Sequence, residues 1–387
     1  MSKKVVLLGS TGSIGCSTLK VAHELPEEID IIALAANDNV AKLAEQARDT
    51  GVKHVAIYDA TRREELRRLL PDDVTVHCGA EGLREIATLA EADIVLVAIV
   101  GTAGLHPALA AIRAGKDLAI ASKEILVMAG EIITREAAIA GVKLLPVDSE
   151  HNAIYQCLDG RAGGEADVSR LILTASGGPF RDTPAEELNK VTLAQALKHP
   201  TWKMGRKITI DSASMFNKGL EMIEARWLFG IGMERIDVVV HPQSIIHSMV
   251  EFIDGSVLAQ LSNTDMCFPI QYALTWPARK KAGLRPLDFP ALGKLEFFAP
   301  RETDFPALRL ARQAGVTGGT LPAVFNAANE VAVDAFIAGD LSFPGIWQRV
   351  EATMAAHQTR PANELDAVIE ADSWARQHCR SLVAVRH

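Results

Sequence analysis

The 387-residue sequence has no basic run, no paired-cysteine motif and no long apolar stretch, and each absence excludes a class of function. Lys and Arg are scattered and the formal net charge is −8, so the basic footprint of a nucleic-acid-binding protein is missing. Cys16, Cys78, Cys157, Cys267 and Cys379 are odd in number and lie far apart without a C-x-x-C. They fit reduced thiols of a cytoplasmic protein, not a disulfide frame or a zinc site. No apolar run reaches the roughly 18 residues of a membrane span, and Met-Ser-Lys-Lys leads straight into a strand pattern without a secretory leader. No membrane partner is expected. A G-x-S-x-G motif is missing, and no Cys or Ser is placed to argue for a nucleophile. Internal repeats and low-complexity segments are missing too.

What is present is a globular composition, 48% hydrophobic and 23% charged, in a chain too long for one ordinary core. Residues 1–150 alternate apolar runs (Val5–Leu8, Ile31–Ala35, His54–Ile57, Ile94–Ala98, Leu118–Ala121, Lys143–Val147) with helical patterns such as Ser17–Glu24 and Val40–Asp49. This alternation predicts an α/β fold, a Rossmann-like doubly wound parallel sheet. Residues 151–276 read as an α+β domain, with strands at Arg170–Ala175, Lys207–Asp211, Asp237–Val240, Ser248–Ile253 and Val257–Leu261 and a helix from Gly219 to Phe229. Prolines crowd 277–306, which predicts an extended linker. Residues 307–387 carry four helical patterns, at Ala307–Ala314, Ala323–Ala338, Gly345–His357 and Leu365–Cys379, and suggest a C-terminal helical bundle.

The first candidate site is LLGSTGSIG at 7–15, where Gly9, Gly12 and Gly15 follow a strand and open a helix near Ser13. Glycines in that context permit a tight turn, and the helix N-terminus offers backbone N–H groups to a pyrophosphate. A plain strand-to-helix turn is the simpler alternative. The second strand ends in Asn37-Asp38-Asn39, where an acidic residue usually bonds the ribose 2′-OH of NAD and a basic one accepts the 2′-phosphate of NADP. Asp38 alone favours NAD, unless it is a solvated carboxylate or the cap of the helix at Val40.

The second candidate is VKLLPVDSEHNAI at 142–154. If the strand continues, Asp148 and Glu150 project to the same side, and two such charges need a proton, a cation or water between them. Carboxylates suit a hard ion such as Mg²⁺ or Mn²⁺, and Glu221 in NKGLE, in the first turn of a helix, is the best third ligand. Solvated loop charges and a dipole-complementing Glu221 are the alternative. Three polar clusters, Thr174–Gly178, Asp211–Ser214 and Asn217-Lys218-Gly219, offer hydroxyl, amide, ammonium and backbone donors suited to a phosphorylated substrate. In HPTWKMGRK at 199–207, Trp202 and Met204, flanked by Lys203 and Arg206, could form a water-excluding lid.

Taken in order, GSTGSIG (9–15), SKE (122–124), PVDSEHNA (146–153), TASGGPF (174–180), HPTWKMG (199–205), NKGLE (217–221), HPQSIIHSMVE (241–251) and NAANE (326–330) closely resemble the 1-deoxy-D-xylulose 5-phosphate reductoisomerase family of the methylerythritol phosphate route to isoprenoids. The resemblance implies rearrangement of a phosphorylated keto-sugar and NADPH-dependent reduction to 2-C-methyl-D-erythritol 4-phosphate, by a cytoplasmic homodimer holding one divalent cation. It makes Asp148, Glu150 and Glu221 the metal ligands and, with Lys123, the catalytic set. It places Lys123, Ser149, Glu150, Ser176, His199, Trp202, Met204, Ser212, Asn217, Lys218, Glu221 and Met266 on the substrate. Cofactor contacts fall on Thr11, Gly12, Ser13, Ile14, Asn37, Asp38, Asn39, Ser122, Glu124 and Gly205.

Three positions depart from the family pattern. Asp38 stands where Lys or Arg is frequent, Ser122 where Asn is common, and Thr264 where Pro is familiar. The first bears on cofactor choice. The competing expectation is a metal-independent Rossmann-type dehydrogenase acting on a small carboxylate or semialdehyde.

Overall fold

A computed structural model describes residues 2–160, 164–202, 204–281 and 283–384. The chain begins with β1 (Lys3–Leu8), α1 (Ser13–Glu24), β2 (Ile29–Ala36), α2 (Val40–Thr50), β3 (His54–Ile57), α3 (Arg63–Leu69) and β4 (Thr75–Cys78). It continues through α4 (Gly79–Ala87), β5 (Ile94–Val97), α5 (Leu105–Arg113), β6 (Asp117–Ile120), α6 (Lys123–Ala140), β7 (Leu144–Pro146) and α7 (Ser149–Leu158). The seven strands form one parallel sheet in the order β4-β3-β2-β1-β5-β6-β7, the doubly wound arrangement expected. Val5–Leu8 and Ile94–Val97 are fully buried, as central parallel strands covered on both faces must be. The strand order reverses between β1 and β5, so a crevice opens beyond their carboxyl ends, where ligands bind in such sheets. Strand β4 escaped the sequence pattern because Thr-Val-His-Cys is a short edge strand, nowhere fully buried.

Next come β8 (Val168–Ala175), α8 (Leu193–Ala196), α9 (Arg206–Ala213), α10 (Phe216–Phe229), β9 (Ile236–Val240), β10 (Ile246–Phe252), β11 (Val257–Leu261) and α11 (Cys267–Thr275). A four-stranded sheet runs β11-β10-β8-β9, mixed in sense because β8 and β9 are parallel while β10 is antiparallel to both its neighbours. The alternation Lys-Ile-Thr-Ile-Asp at 207–211 predicted a strand, and this is overturned: it lies in α9. Tertiary context overrides β-propensity here. Lys207 reaches Asp211 at 2.8 Å, an i, i+4 pairing that a helix makes possible, while Ile210 is buried in the core.

Among the described residues of 277–306 there is little regular structure, only the short α12 (Phe289–Leu292) and a single bridge between Val240 and Phe298. The chain ends with α13 (Ala307–Thr317), α14 (Leu321–Ala338), α15 (Gly345–Ala356) and α16 (Leu365–Ala384), the four helices expected. By length and composition α14 could cross a membrane, contrary to the reading that no stretch was long enough, yet 72% of it is buried as a core helix.

The compact units do not follow the contiguous boundaries expected at 150, 276 and 306. One gathers Met1–Ile125, Ile133–Asn152 and Asp265–Arg285; the other gathers Leu126–Ile132, Ala153–Thr264 and Pro286–His387. In the first, Asn152 Nδ2 donates to the carbonyls of Pro146 at 2.8 Å and Pro269 at 3.2 Å, tying the segment that carries α11 to the end of β7. In the second, the terminal helices share one hydrophobic core with β8 and α10, for example through the Phe216 and Phe325 rings 5.3 Å apart. Residues 307–384 thus form the C-terminal helical region expected, with a core that continues into β8 and α10.

Candidate active site

The glycine turn is shaped by backbone contacts. Gly9 has φ +95°, and a Cβ there would meet the Ala98 carbonyl oxygen at 2.5 Å, because the ends of β1 and β5 converge at this residue. A Cβ on Gly15 would lie 2.4 Å from the carbonyl oxygens of Gly9 and Ser10, so the first turn of α1 packs directly on the loop. Gly12 is the N-cap of α1 and has no side chain to occupy the orphan N–H groups of the helix start. Thr11, Gly12, Ser13 and Ile14 are all at least partly exposed around that helix start. The strand, tight glycine turn and helix start are those the motif predicted.

At the end of β2, Asn37, Asp38 and Asn39 are exposed. The cap of α2 is Asn39, not Asp38: its Oδ1 accepts from Lys42 N at 3.2 Å. Two residues that sequence reasoning passed over lie on the same face of α2. Lys42 Nζ donates to the Thr11 carbonyl at 2.9 Å, and buried Gln46 donates to the Ser10 carbonyl at 3.0 Å. Their i, i+4 spacing was the available signal.

The strand geometry assumed for Asp148 and Glu150 is overturned. Strand β7 stops at Pro146, and Ser149 begins α7. Asp148 caps that helix, its Oδ1 accepting from Glu150 N at 3.3 Å, while Glu150 lies in the first turn with its Oε2 accepting from Ser149 Oγ at 2.5 Å. Proximity survives, but through a helix cap instead of strand alternation. Asp148 is not a solvated charge: Lys123 Nζ lies 2.6 Å from its Oδ2, with the two side chains 8% and 10% exposed, and His151 Nδ1 lies 3.6 Å from Oδ1. Burial, the largest influence, pushes the Asp148 carboxyl up, but Lys123 and His151 outweigh it and hold it well below the usual carboxylate range. Lys123 opens α6, where a cation opposes the helix dipole, so its pairing with Asp148 offsets an unfavourable position.

Ser122 and Glu124 flank it, both buried, with the Ser122 hydroxyl donating to the Ile99 carbonyl beyond β5. Met266, half-buried, is the N-cap of α11.

In the second unit the polar clusters converge. Gly178 has φ +66°, and a Cβ on it would meet the Ser212 carbonyl oxygen at 2.8 Å, which sets the Thr174–Gly178 turn against the end of α9. Ser212 Oγ itself donates back to the Ile208 carbonyl at 2.9 Å. His199 Nδ1 accepts from the backbone N–H of Trp202 at 2.9 Å and of Thr201 at 3.2 Å. Its Nε2 therefore carries the proton and donates to Ser176 Oγ at 3.1 Å. Two residues separate α9 from α10, and Met215 at that break has φ +66°. Asn217 and Lys218 then fall in the first turn of α10 and Glu221 in the second, not the first as expected. Buried Glu221 accepts from Lys218 Nζ and, at 2.5 Å, from Asn217 Nδ2. Lys218, read as a point charge for phosphate, is thus also the partner of Glu221.

Trp202 and Met204 are half-buried, Trp202 with its ring 6.3 Å from that of His247, and Gly205 is exposed as the N-cap of α9. Lys203 between them lies outside the described residues. Asp211, buried, was missed as a structural anchor: Asn329 Nδ2 donates to its Oδ1 at 2.8 Å. Asn329 belongs to the NAANE motif, and the motif holds α9 in place.

Three family models match in succession: 1-deoxy-D-xylulose 5-phosphate reductoisomerase at residues 5–130, its C-terminal domain at 144–229, and the DXP reductoisomerase C-terminal domain at 261–378. The 1-deoxy-D-xylulose 5-phosphate reductoisomerase of Geobacter metallireducens is 51% identical over 384 residues, 99% of this chain and 100% of its own length. That of Pelodictyon phaeoclathratiforme is 52% identical over 383 residues with the same coverage. Among solved structures, the Zymomonas mobilis enzyme in complex with NADPH matches with a TM-score of 0.94 at 44% identity, over 100% of both chains. A DOX-P reductoisomerase in complex with NADPH, fosmidomycin and magnesium matches with a TM-score of 0.94 at 39% identity, over 99% of this chain and 98% of its own.

Proposed function

The chain belongs to the 1-deoxy-D-xylulose 5-phosphate reductoisomerase family, and on that premise we propose that it rearranges 1-deoxy-D-xylulose 5-phosphate and reduces the product to 2-C-methyl-D-erythritol 4-phosphate with NADPH. The carboxylates of Asp148, Glu150 and Glu221 hold one divalent cation, Mg²⁺ or Mn²⁺. The donor chemistry fits: all three are oxygen ligands, and Asp148 is kept anionic by Lys123. When bound, the cation supplies Lewis-acid stabilisation of the oxyanion that develops as the carbon skeleton rearranges. NADPH fits the glycine turn, where Thr11, Ser13 and Ile14 offer backbone N–H groups to its pyrophosphate, while Gly12, whose N–H donates to the Gly9 carbonyl at 3.2 Å, lets the phosphates approach without a side chain in the way. Asn37, Asp38, Asn39, Ser122, Glu124 and Gly205 complete that contact set.

The chain's own groups then divide the work. Lys123 and Ser149 donate to the reacting oxygens, and the ammonium adds positive charge where negative charge develops. Ser176, the Nε2–H of His199, Ser212, Asn217 and Lys218 grip the phosphate. Trp202 and Met204 close over the substrate, with Met266 against it, so that hydride moves away from water. Binding of the remote phosphate supports that closure. The enzyme works in the cytoplasm as a homodimer, which sedimentation analysis would test.

The observation that carries this reading is the buried Lys123–Asp148 pair at the head of α7, because a carboxylate held anionic beside an ammonium serves both metal ligation and oxyanion chemistry. The direct test is oxidation of NADPH in the presence of 1-deoxy-D-xylulose 5-phosphate with and without Mg²⁺. Dependence on both is expected. Activity that survives exhaustive EDTA treatment would instead favour a metal-independent dehydrogenase.

A further inference from the structure

We propose that Lys42 is the cation that recognises the 2′-phosphate of the nucleotide, and so sets the preference for NADPH over NADH in a chain whose β2 ends in an acidic residue. The proposal rests on the NADPH reading above. In a Rossmann-like sheet the residue at the end of β2 meets the adenosine ribose, and a 2′-phosphate needs positive charge there. This chain places Asp38 at that point, exposed, with Asn37 and Asn39 beside it and no basic residue among the three. A carboxylate facing a phosphate is repulsive, so the compensating charge must come from elsewhere.

Lys42 meets the requirement by geometry. It sits in the first turn of α2, immediately after the loop that carries Asp38, and its backbone N–H is fixed by the Asn39 cap. Its side chain is half-buried, and Nζ is held 2.9 Å from the Thr11 carbonyl of the glycine turn. One helical turn on, Gln46 holds the Ser10 carbonyl at 3.0 Å. The two side chains brace consecutive carbonyls of the turn, and the brace delivers an ammonium to the space between the pyrophosphate turn and the end of β2. An ammonium has three donors, so contact with Thr11 leaves capacity for a phosphate oxygen. Gln46 performs the same bracing without charge, so the lysine's charge has a use beyond support.

The test separates charge recognition from bracing. Binding of 2′,5′-ADP and of 5′-AMP to the full chain is measured by calorimetry for the wild type, Lys42→Met, Lys42→Arg and Gln46→Met. Loss of a charge-assisted contact predicts that Lys42→Met weakens 2′,5′-ADP by about ten- to a hundredfold and 5′-AMP by less than about threefold. Lys42→Arg should keep most of the preference, and Gln46→Met should weaken both nucleotides by similar factors. The ratio of kcat/KM for NADPH over NADH should fall in Lys42→Met through KM. Equal losses for both nucleotides in Lys42→Met, or no loss for either, would overturn the proposal. Failure of the wild type to bind either nucleotide would overturn the cofactor reading itself.

Discussion

The glycine turn and the α9–α10 region, both proposed to hold anionic groups, are built from different materials. At the turn, backbone does the work: Gly9 and Gly15 leave no room for a Cβ, and the groups offered are N–H donors at the start of α1. Around α9 and α10, side chains do it, in paired sets such as Lys207–Asp211–Asn329 and Asn217–Lys218–Glu221. A site made of backbone is sensitive to volume, and its own residues bring no side-chain charge to it. A site made of paired side chains is sensitive to charge at constant volume.

That contrast can be broken experimentally, beginning where the effect should be largest. Glu150→Gln changes one charge and almost no volume, and it should lower turnover by about a hundredfold or more while nucleotide affinity is kept. Steady-state rates across a Mg²⁺ titration, with nucleotide calorimetry alongside, measure both. Near-normal turnover would remove Glu150 from the metal set. The converse change at the turn, Gly15→Ala, adds one methyl and no charge. Its Cβ would press on two backbone carbonyls that cannot rotate away, so we expect about 3 kcal/mol of lost stability, with weaker nucleotide binding. Urea denaturation reads the first and calorimetry the second; wild-type stability would show that the loop yields.

Asn329→Leu tests the side-chain region at a distance from the chemistry. It removes one donor from the buried carboxylate of Asp211, leaving Lys207, and should cost about 2 kcal/mol in the same denaturation assay. Asn329→Asp, which places a second carboxylate there, should be worse, and a milder result would show that charge pairing is not what holds α9. The smallest effect is expected for Asn39→Ala, which deletes the cap of α2 and should cost about 1 kcal/mol. No change in denaturation midpoint would mean that water replaces the cap.

Much of this was legible before the structure. The β-α-β alternation, the start of α1 at the glycine turn and the four terminal helices each follow from periodicity or turn chemistry acting over a few residues. Asp148 and Glu150 were singled out correctly as neighbours, though on the wrong local geometry: a helix cap brings them together, and no rule of strand alternation was involved. Residues 207–211 misled for a related reason. Alternation over five residues is consistent with a strand, while the facts that decide for a helix, the buried Ile210 and the partners of Asp211, lie in the surrounding core.

The sequence alone therefore determined what local sterics and periodicity control: a parallel sheet, a tight glycine turn between a strand and a helix, and an ordered series of motifs that identifies a family. Tertiary structure decided which charges meet. Lys123 finds Asp148 from the other side of α6 and β7, Lys42 reaches back to Thr11 across β2, and Asn329 crosses from the terminal helices to Asp211. Such pairings depend on where distant segments are packed, and Coulomb and hydrogen-bond energies fall too steeply with distance to leave a trace in spacing along the chain.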